Sequence, residues 1–193
     1  MFTLLFQNIS KKVSFSEEEM LLCQPFFSSK KLRKKQYLLQ EGDVCKYTAF
    51  VNKGILRSYT IDEKGSEHVI QFALEDWWIT DFYSFLTGEP SSYYIDVLED
   101  AEVLLITKAA QDEMVLKVPK MERFLRLLMQ NSLIALQRRL LGSLNYTAED
   151  KYLQLLDACP SIIQRVPQHF IASYLGITPE TLSRIRKQMA QRS

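Results

Sequence analysis

The spacing of apolar positions along this chain of 193 residues changes twice. Between Gln36 and about Ile106, β-branched and aromatic residues come in short runs: Tyr37–Gln40, Tyr47–Val51, Gly54–Ile61, His68–Phe72, Tyr93–Val97 and Glu102–Ile106. Turn signals separate them at Glu41-Gly-Asp43, Asn52-Lys-Gly54, Asp62-Glu-Lys-Gly65 and Thr87-Gly-Glu-Pro90. Short strands punctuated this often predict a sandwich or jelly roll. After Pro119 the period lengthens to that of a helix. Leu125, Met129, Leu133, Leu136 and Leu140 follow one another at intervals of 4, 4, 3 and 4, which predicts one long helix ending near Gly142. Leu127, Leu128 and Ile134 widen its apolar surface. Such a helix has enough apolar area both to pack on the β domain and to form a seam with the same helix of a second chain.

The third stretch is the most specific. Thr147-Ala-Glu-Asp150 reads as a capping box that opens a helix carrying Tyr152, Leu153, Leu155 and Leu156. Pro167 is suited to open the next helix, and Gly176 supplies the left-handed residue that ends it. Thr178 then caps a last helix whose first residue is Pro179. Ile171, Leu175 and Ile177 are placed to face Leu182 and Ile185, with Ala172 small enough for a close crossing. Two short helices joined this way form a helix-turn-helix, or an ordinary helical hairpin.

Charge favours the first reading. From Pro160 onward Arg165, Arg184, Arg186, Lys187 and Arg192 stand against Glu180 alone, 5−1=+4, while the rest of the chain is 19−22=−3. A chain of net charge +1 therefore carries its positive charge at one end, as binding to nucleic-acid phosphate requires. Near the other end, Ser16-Glu-Glu-Glu19 reads as a capping box for a helix running to about Cys23. The basic run Lys30–Lys35 reads as a solvated loop or strand edge rather than a nucleic-acid patch. Cys23, Cys45 and Cys159, without a C-x-x-C pair, fit reduced thiols of a cytoplasmic protein. His68 and His169 are too few for most His-based metal sites, so no metal or other cofactor is expected. No apolar run approaches 18 residues and the first residues lack the features of a signal peptide, so no membrane association is expected.

A β-roll, a long apolar helix and a terminal helix-turn-helix, in that order, resemble the family of bacterial transcription regulators that includes the cyclic AMP receptor protein and the fumarate–nitrate regulator (Crp/Fnr). Ile171–Arg184 is the most specific piece, followed by Glu41-Gly-Asp43 and Asn52–Arg57. The resemblance implies an α+β fold with a sensor roll over residues 1–118, a connecting and dimerisation helix over 119–145, and a helix-turn-helix domain over 146–193. It implies a homodimer on double-stranded DNA, with RNA polymerase and a small-molecule effector as further partners. The candidate DNA-binding residues are Gln168, His169, Thr178, Glu180, Thr181, Arg184, Arg186 and Lys187. By resemblance Glu180 and Arg184 stand where the family reads bases, and Thr178 and Thr181 where it grips phosphate.

Two departures from the family pattern matter. Its nucleotide binders carry a Gly-Glu pair and, about ten residues on, an Arg followed by a small hydroxyl residue. Here Thr80 and Asp81 replace the pair, and Ser91 stands in place of the Arg, followed by Ser92. Asp81, Ser91 and Ser92 are thus the candidate effector site, and one without the cation a cyclic phosphate needs. Cyclic AMP is not expected to bind. No cysteine cluster precedes the roll either, as the redox branch would require. The second departure is the absence of a β-hairpin wing after the last helix, from which weaker DNA binding and a shallower salt slope are expected. The ring-rich stretch Trp77–Phe85 lines an effector pocket or fills the core. Two other functions stay open: a cupin-like enzyme, for which His68 alone is too few ligands, and a protein-interaction module whose terminal helices bind no DNA.

Overall fold

The computed structural model describes residues 1–191. Arg192, one of the basic residues counted above, lies outside the described residues, as does Ser193. The chain divides into two compact units, one of Met1–Thr60 with Gln71–Gln130, the other of Ile61–Ile70 with everything from Asn131.

The first unit opens on two helices, α1 (Thr3–Ser10) and α2 (Glu17–Cys23). The first was not expected from the sequence, yet Leu5 and Ile9 on it are wholly buried. The second begins at the expected capping box. The Ser16 hydroxyl accepts the Glu19 N–H at 3.2 Å, and the Glu19 carboxylate accepts the Ser16 N–H at 2.8 Å. A 3-10 turn at Gln24–Phe26 leads into the strands.

The strands are β1 (Ser28–Leu32), β2 (Tyr37–Leu39), β3 (Thr48–Ile61), β4 (Glu67–Ala73), β5 (Trp78–Ile79) and β6 (Tyr94–Ile106), with helix α3 (Phe82–Thr87) before the last. They form one antiparallel sheet in the order β1-β6-β3-β4, with β2 added to β6 and β5 to β3. The basic run begins on the edge strand β1, which is exposed except at Leu32, and continues into the turn that follows it. Lys31 there pairs with Glu102 at 3.2 Å. Charge along an edge discourages pairing with another chain's sheet.

Two expected breaks are absent. β3 runs unbroken through Asn52-Lys-Gly54, and β6 joins the two runs expected on either side of Asp100. The register between them slips at Val51–Leu56 instead. Gly54 has φ +89°, and a Cβ there would stand 2.5 Å from the Asp100 carbonyl oxygen. The glycine therefore marks a bulge where two backbones nearly touch, not a turn.

Inside the sheet Leu56, Ile79, Phe85, Ile95, Val97 and Val103 form one core. Helix α4 (Lys108–Lys117) and the start of α5 (Lys120–Asn145) build a second core with α1, in which Met114, Met121 and Phe124 are buried against Phe50 and Leu104. The half-buried Trp78 packs against this core, its ring 5.1 Å from Phe50 and 6.1 Å from Phe124. Trp77 and Tyr83 from the same ring-rich stretch are exposed.

Helix α5 ends at Asn145, not near Gly142, which sits buried inside it. Its first turns carry Leu125, Leu127 and Leu128 onto the second core. Beyond them the stripe is bare: Leu133, Leu136, Leu140 and Leu144 are 57%, 62%, 61% and 73% exposed.

In the second unit, α6 (Ala148–Ala158) starts at the expected Thr147 capping box, and a short α7 (Ile162–Arg165) follows. Helix α8 (Gln168–Leu175) begins one residue after Pro167, whose ψ of 138° keeps it outside the helix as its N-cap. Gly176, with φ +66°, ends α8 as expected. Thr178 caps α9 (Pro179–Ala190), its hydroxyl accepting the Thr181 N–H. Ile171, Ala172, Leu175, Leu182 and Ile185 are buried and Ile177 half-buried, the interlock the spacing predicted.

Candidate nucleic-acid interface and the roll interior

The buried stripe of α9 fixes what its other side presents. With Leu182 and Ile185 turned inward, residues four apart gather on the outer face. Pro179, Ser183 and Lys187 form one row and Glu180 and Arg184 the next, and together they line a shallow open strip. Glu180 is the one acid there. Its carboxylate is held below the usual range by hydrogen bonds from its own N–H and from the Thr178 hydroxyl, so it stays anionic at the positive end of the helix.

Of the candidate DNA-binding residues, Glu180, Arg184 and Lys187 meet on this strip. Gln168 and His169 are exposed at the first turn of α8. The Thr178 hydroxyl lies 3.2 Å from that of Thr181 besides capping the helix, and Thr181 is half-buried. Arg186 is half-buried and does not line the strip. Ser183 does line it; its position four residues before Lys187 is the sequence signal that places it there.

In the roll, Asp81 and Ser91 come together and Ser92 does not: it is exposed. The Ser91 hydroxyl donates to Asp81 Oδ2 at 2.7 Å and accepts the Tyr93 N–H at 3.2 Å. Asp81 Oδ1 accepts the Ser84 N–H at 3.1 Å and so caps α3. The Tyr93 hydroxyl donates to the Thr80 carbonyl at 3.2 Å, and burial with the nearby Asp81 charge raises its pKa. This polar cluster is closed on itself around a carboxylate. A phosphate here would face an anion with no cation beside it.

The cation with a buried position on the roll is Arg57. Its Nε and a terminal nitrogen bind the two Asp96 oxygens at 2.8 and 2.9 Å, and its guanidinium carbon lies 4.0 Å from the centre of the Tyr59 ring. Only 4% of that side chain is exposed. Drawing it away to another anion would leave Asp96 as a buried, unpaired charge.

His68 is on β4, its Nε2 2.8 Å from Asp62 Oδ2, and more than half exposed. Among the described residues no cluster of three or more His, Cys, Asp or Glu is placed to hold a metal. All three cysteines are free and buried, and burial, with the Glu19 carboxylate nearby, pushes the Cys23 thiol up to about 11. No helix among the described residues is long and apolar enough to cross a membrane.

Residues 29–118 match the family model of the cyclic nucleotide-binding domain. The chain is 29% identical over 169 residues to the fumarate and nitrate reduction regulatory protein of Vibrio cholerae, which covers 81% of this chain and 66% of that protein. It is 27% identical over 186 residues to the regulatory protein HlyX of Actinobacillus pleuropneumoniae, covering 89% of this chain and 76% of the relative. Among solved structures, FixK2 from Bradyrhizobium japonicum is similar in fold, with a TM-score of 0.73 at 19% identity over 86% of this chain and 85% of that one.

Proposed function

Because the chain belongs to the Crp/Fnr family of transcription regulators, we propose that it acts as a homodimer that reads a two-fold symmetric operator in double-stranded DNA. In this reading α9 is the recognition helix and lies in the major groove. The observation that carries it is the outer strip of α9, where Arg184 and Lys187 are exposed beside Glu180 while Leu182 and Ile185 anchor the helix from behind. Arg184 has the planar fork that pairs with guanine O6 and N7, and Glu180 can accept from cytosine N4. Arg186 and Lys187 bind phosphate. The dimer forms along α5, whose exposed Met129, Leu133, Leu136 and Leu140 follow the 4-3-4 spacing of a coiled-coil seam.

The roll does not answer to cyclic AMP in this proposal, because Asp81 and Ser91 occupy each other and Arg57 is matched by Asp96. In this reading the chain acts in the cytoplasm, with RNA polymerase as a further partner. The direct test is retardation of duplex DNA as salt is raised. Two copies each of Arg186 and Lys187 predict a slope of log affinity against log salt of roughly −4. Binding that is absent at low salt, or indifferent to salt, would point instead to a protein-interaction module.

A further inference from the structure

β4 lies at the end of the sheet order, so among the described residues its outer backbone edge has no strand beside it. Such an edge leaves peptide groups in want of partners. At the tip of the β3–β4 hairpin, within the second unit, side chains from two helices supply them. The Val69 N–H donates to Ser173 Oγ at 3.0 Å, and the Ser173 hydroxyl donates to the Glu67 carbonyl at 2.8 Å. Residues 67 and 69 are two apart, so their outer groups lie on one edge. One hydroxyl thus does what a neighbouring strand would do. Arg139 of α5 donates to the Val69 carbonyl at 3.3 Å and also to that of Ile70. Its guanidinium carbon is 4.6 Å from the centre of the Tyr174 ring on α8.

A serine inside a helix ordinarily bonds its own backbone one turn back, or water. Ser173 instead binds backbone groups 104 and 106 residues away. The hairpin tip it grips is itself fixed. Asp62 Oδ1 accepts the Lys64 and Ser66 N–H groups at 2.9 Å each, the Gly65 N–H reaches the Asp62 carbonyl at 2.9 Å, and His68 joins Asp62 Oδ2. The tip is therefore a stiff wedge held by α5 on one account and by α8 on another.

We infer that Ser173 and Arg139 are positioning residues: by clamping this wedge they fix α8, and with it α9, relative to the C-terminal half of α5. The strip on α9 stays open while the clamp is closed, so the clamp orients the reading helix and does not mask it. This rests on the functional reading above. If two chains join along α5, the clamp sets the separation of the two recognition helices, and so the spacing of half-sites the dimer accepts. Helix-turn-helix dimers need that spacing near one turn of DNA.

The test uses the full chain as wild type and as Ser173→Ala, Ser173→Thr and Arg139→Gln. Each is titrated onto duplexes bearing two half-sites, with the spacer kept as selected or changed by two base pairs, and onto a single half-site. Wild type and Ser173→Thr should lose about tenfold or more in affinity when the spacer changes, whereas Ser173→Ala and Arg139→Gln should lose about twofold or less, because a loosened head can reach either spacing. Single-half-site affinity should be the same for all four. Without DNA, the Val69 amide should exchange at least about tenfold faster in Ser173→Ala than in wild type. If Ser173→Ala does not fold, Arg139→Gln, an exposed helix position, decides the matter alone. Retention of the wild-type spacing preference by both loosened variants overturns the inference, as does a Val69 amide unprotected in wild type. Absence of any symmetric site for wild type overturns the functional reading and the spacing role with it, and the Val69 exchange then tells whether the clamp exists.

Discussion

Ser91 and Asp81 are bonded to each other inside the roll, hydroxyl to carboxylate at 2.7 Å. Both are buried, and the other carboxylate oxygen already accepts the Ser84 N–H. A cyclic phosphate entering here would have to displace an internal anion and find no cation in exchange. Calorimetric titration with cyclic AMP should therefore show no heat at micromolar to millimolar concentration. Restoring the cation by Ser91→Arg should not suffice by itself, since Asp81 would capture the new charge. Micromolar binding to the unaltered chain would mean that Arg57 leaves Asp96.

The bare stripe on α5 predicts a dimer that depends on it. Replacing Leu133 and Leu136 together by Asp places unpaired charge in the seam, at a cost of several kcal/mol, roughly 3 or more. Sedimentation should then give monomers, with far-ultraviolet circular dichroism unchanged because both positions are exposed in the single chain. A double variant that stays dimeric would place the seam elsewhere.

Arg184 and Lys187 share the open strip but are assigned different work. Arg184→Ala should cost about 1–3 kcal/mol per half-site on the operator and relax the preference at one base pair. Lys187→Ala should weaken operator and scrambled DNA alike and flatten the salt slope by about 1 per head. Equal loss on both DNAs for Arg184→Ala would make it a backbone contact.

Gly54 and Gly42 give a paired test of the roll. Both have positive φ, +89° and +86°, but an added Cβ meets the Asp100 carbonyl oxygen at 2.5 Å in one and nothing within 4 Å in the other. Gly42→Ala should cost about 1–2 kcal/mol for the left-handed backbone alone. Gly54→Ala should cost about 3 kcal/mol or more, because neither backbone can give way. Urea unfolding of the two variants measures the difference, and equal costs would show that the bulge can relax.

The same glycine shows what the sequence could and could not tell. Asn52-Lys-Gly54 carries the composition of a turn, but the φ it demands is used by a bulge inside a strand of 14 residues, and only the partner strand distinguishes the two. The helix-turn-helix was legible almost to the residue, because Gly176, Thr178 and Pro179 act locally and the Leu182–Ile185 spacing fixes the buried face. Pro167 stands one place outside α8, since a fixed φ suits a cap as well as a first turn. Helix α1 carries little sequence signal, being short and without a side-chain cap, and tertiary burial of Leu5 and Ile9 accounts for it. The Ser173 clamp had no sequence signal: a hydroxyl bound to backbone 106 residues away leaves no periodicity. On this strip, Glu180 and Arg184 were legible from helical spacing, whereas the half-burial of Thr181 and Arg186 depends on packing that spacing does not fix.

The central claim, that this chain reads DNA as a symmetric dimer through α9, is tested most directly by selecting bound duplexes from a random pool with the full chain. The account predicts enrichment of a two-fold symmetric motif with half-sites about 10–10.5 base pairs apart, centre to centre. Substitution of Arg184 should alter the motif at the same base pair in each half. A pool that yields no enriched sequence, or a motif without two-fold symmetry, would contradict it.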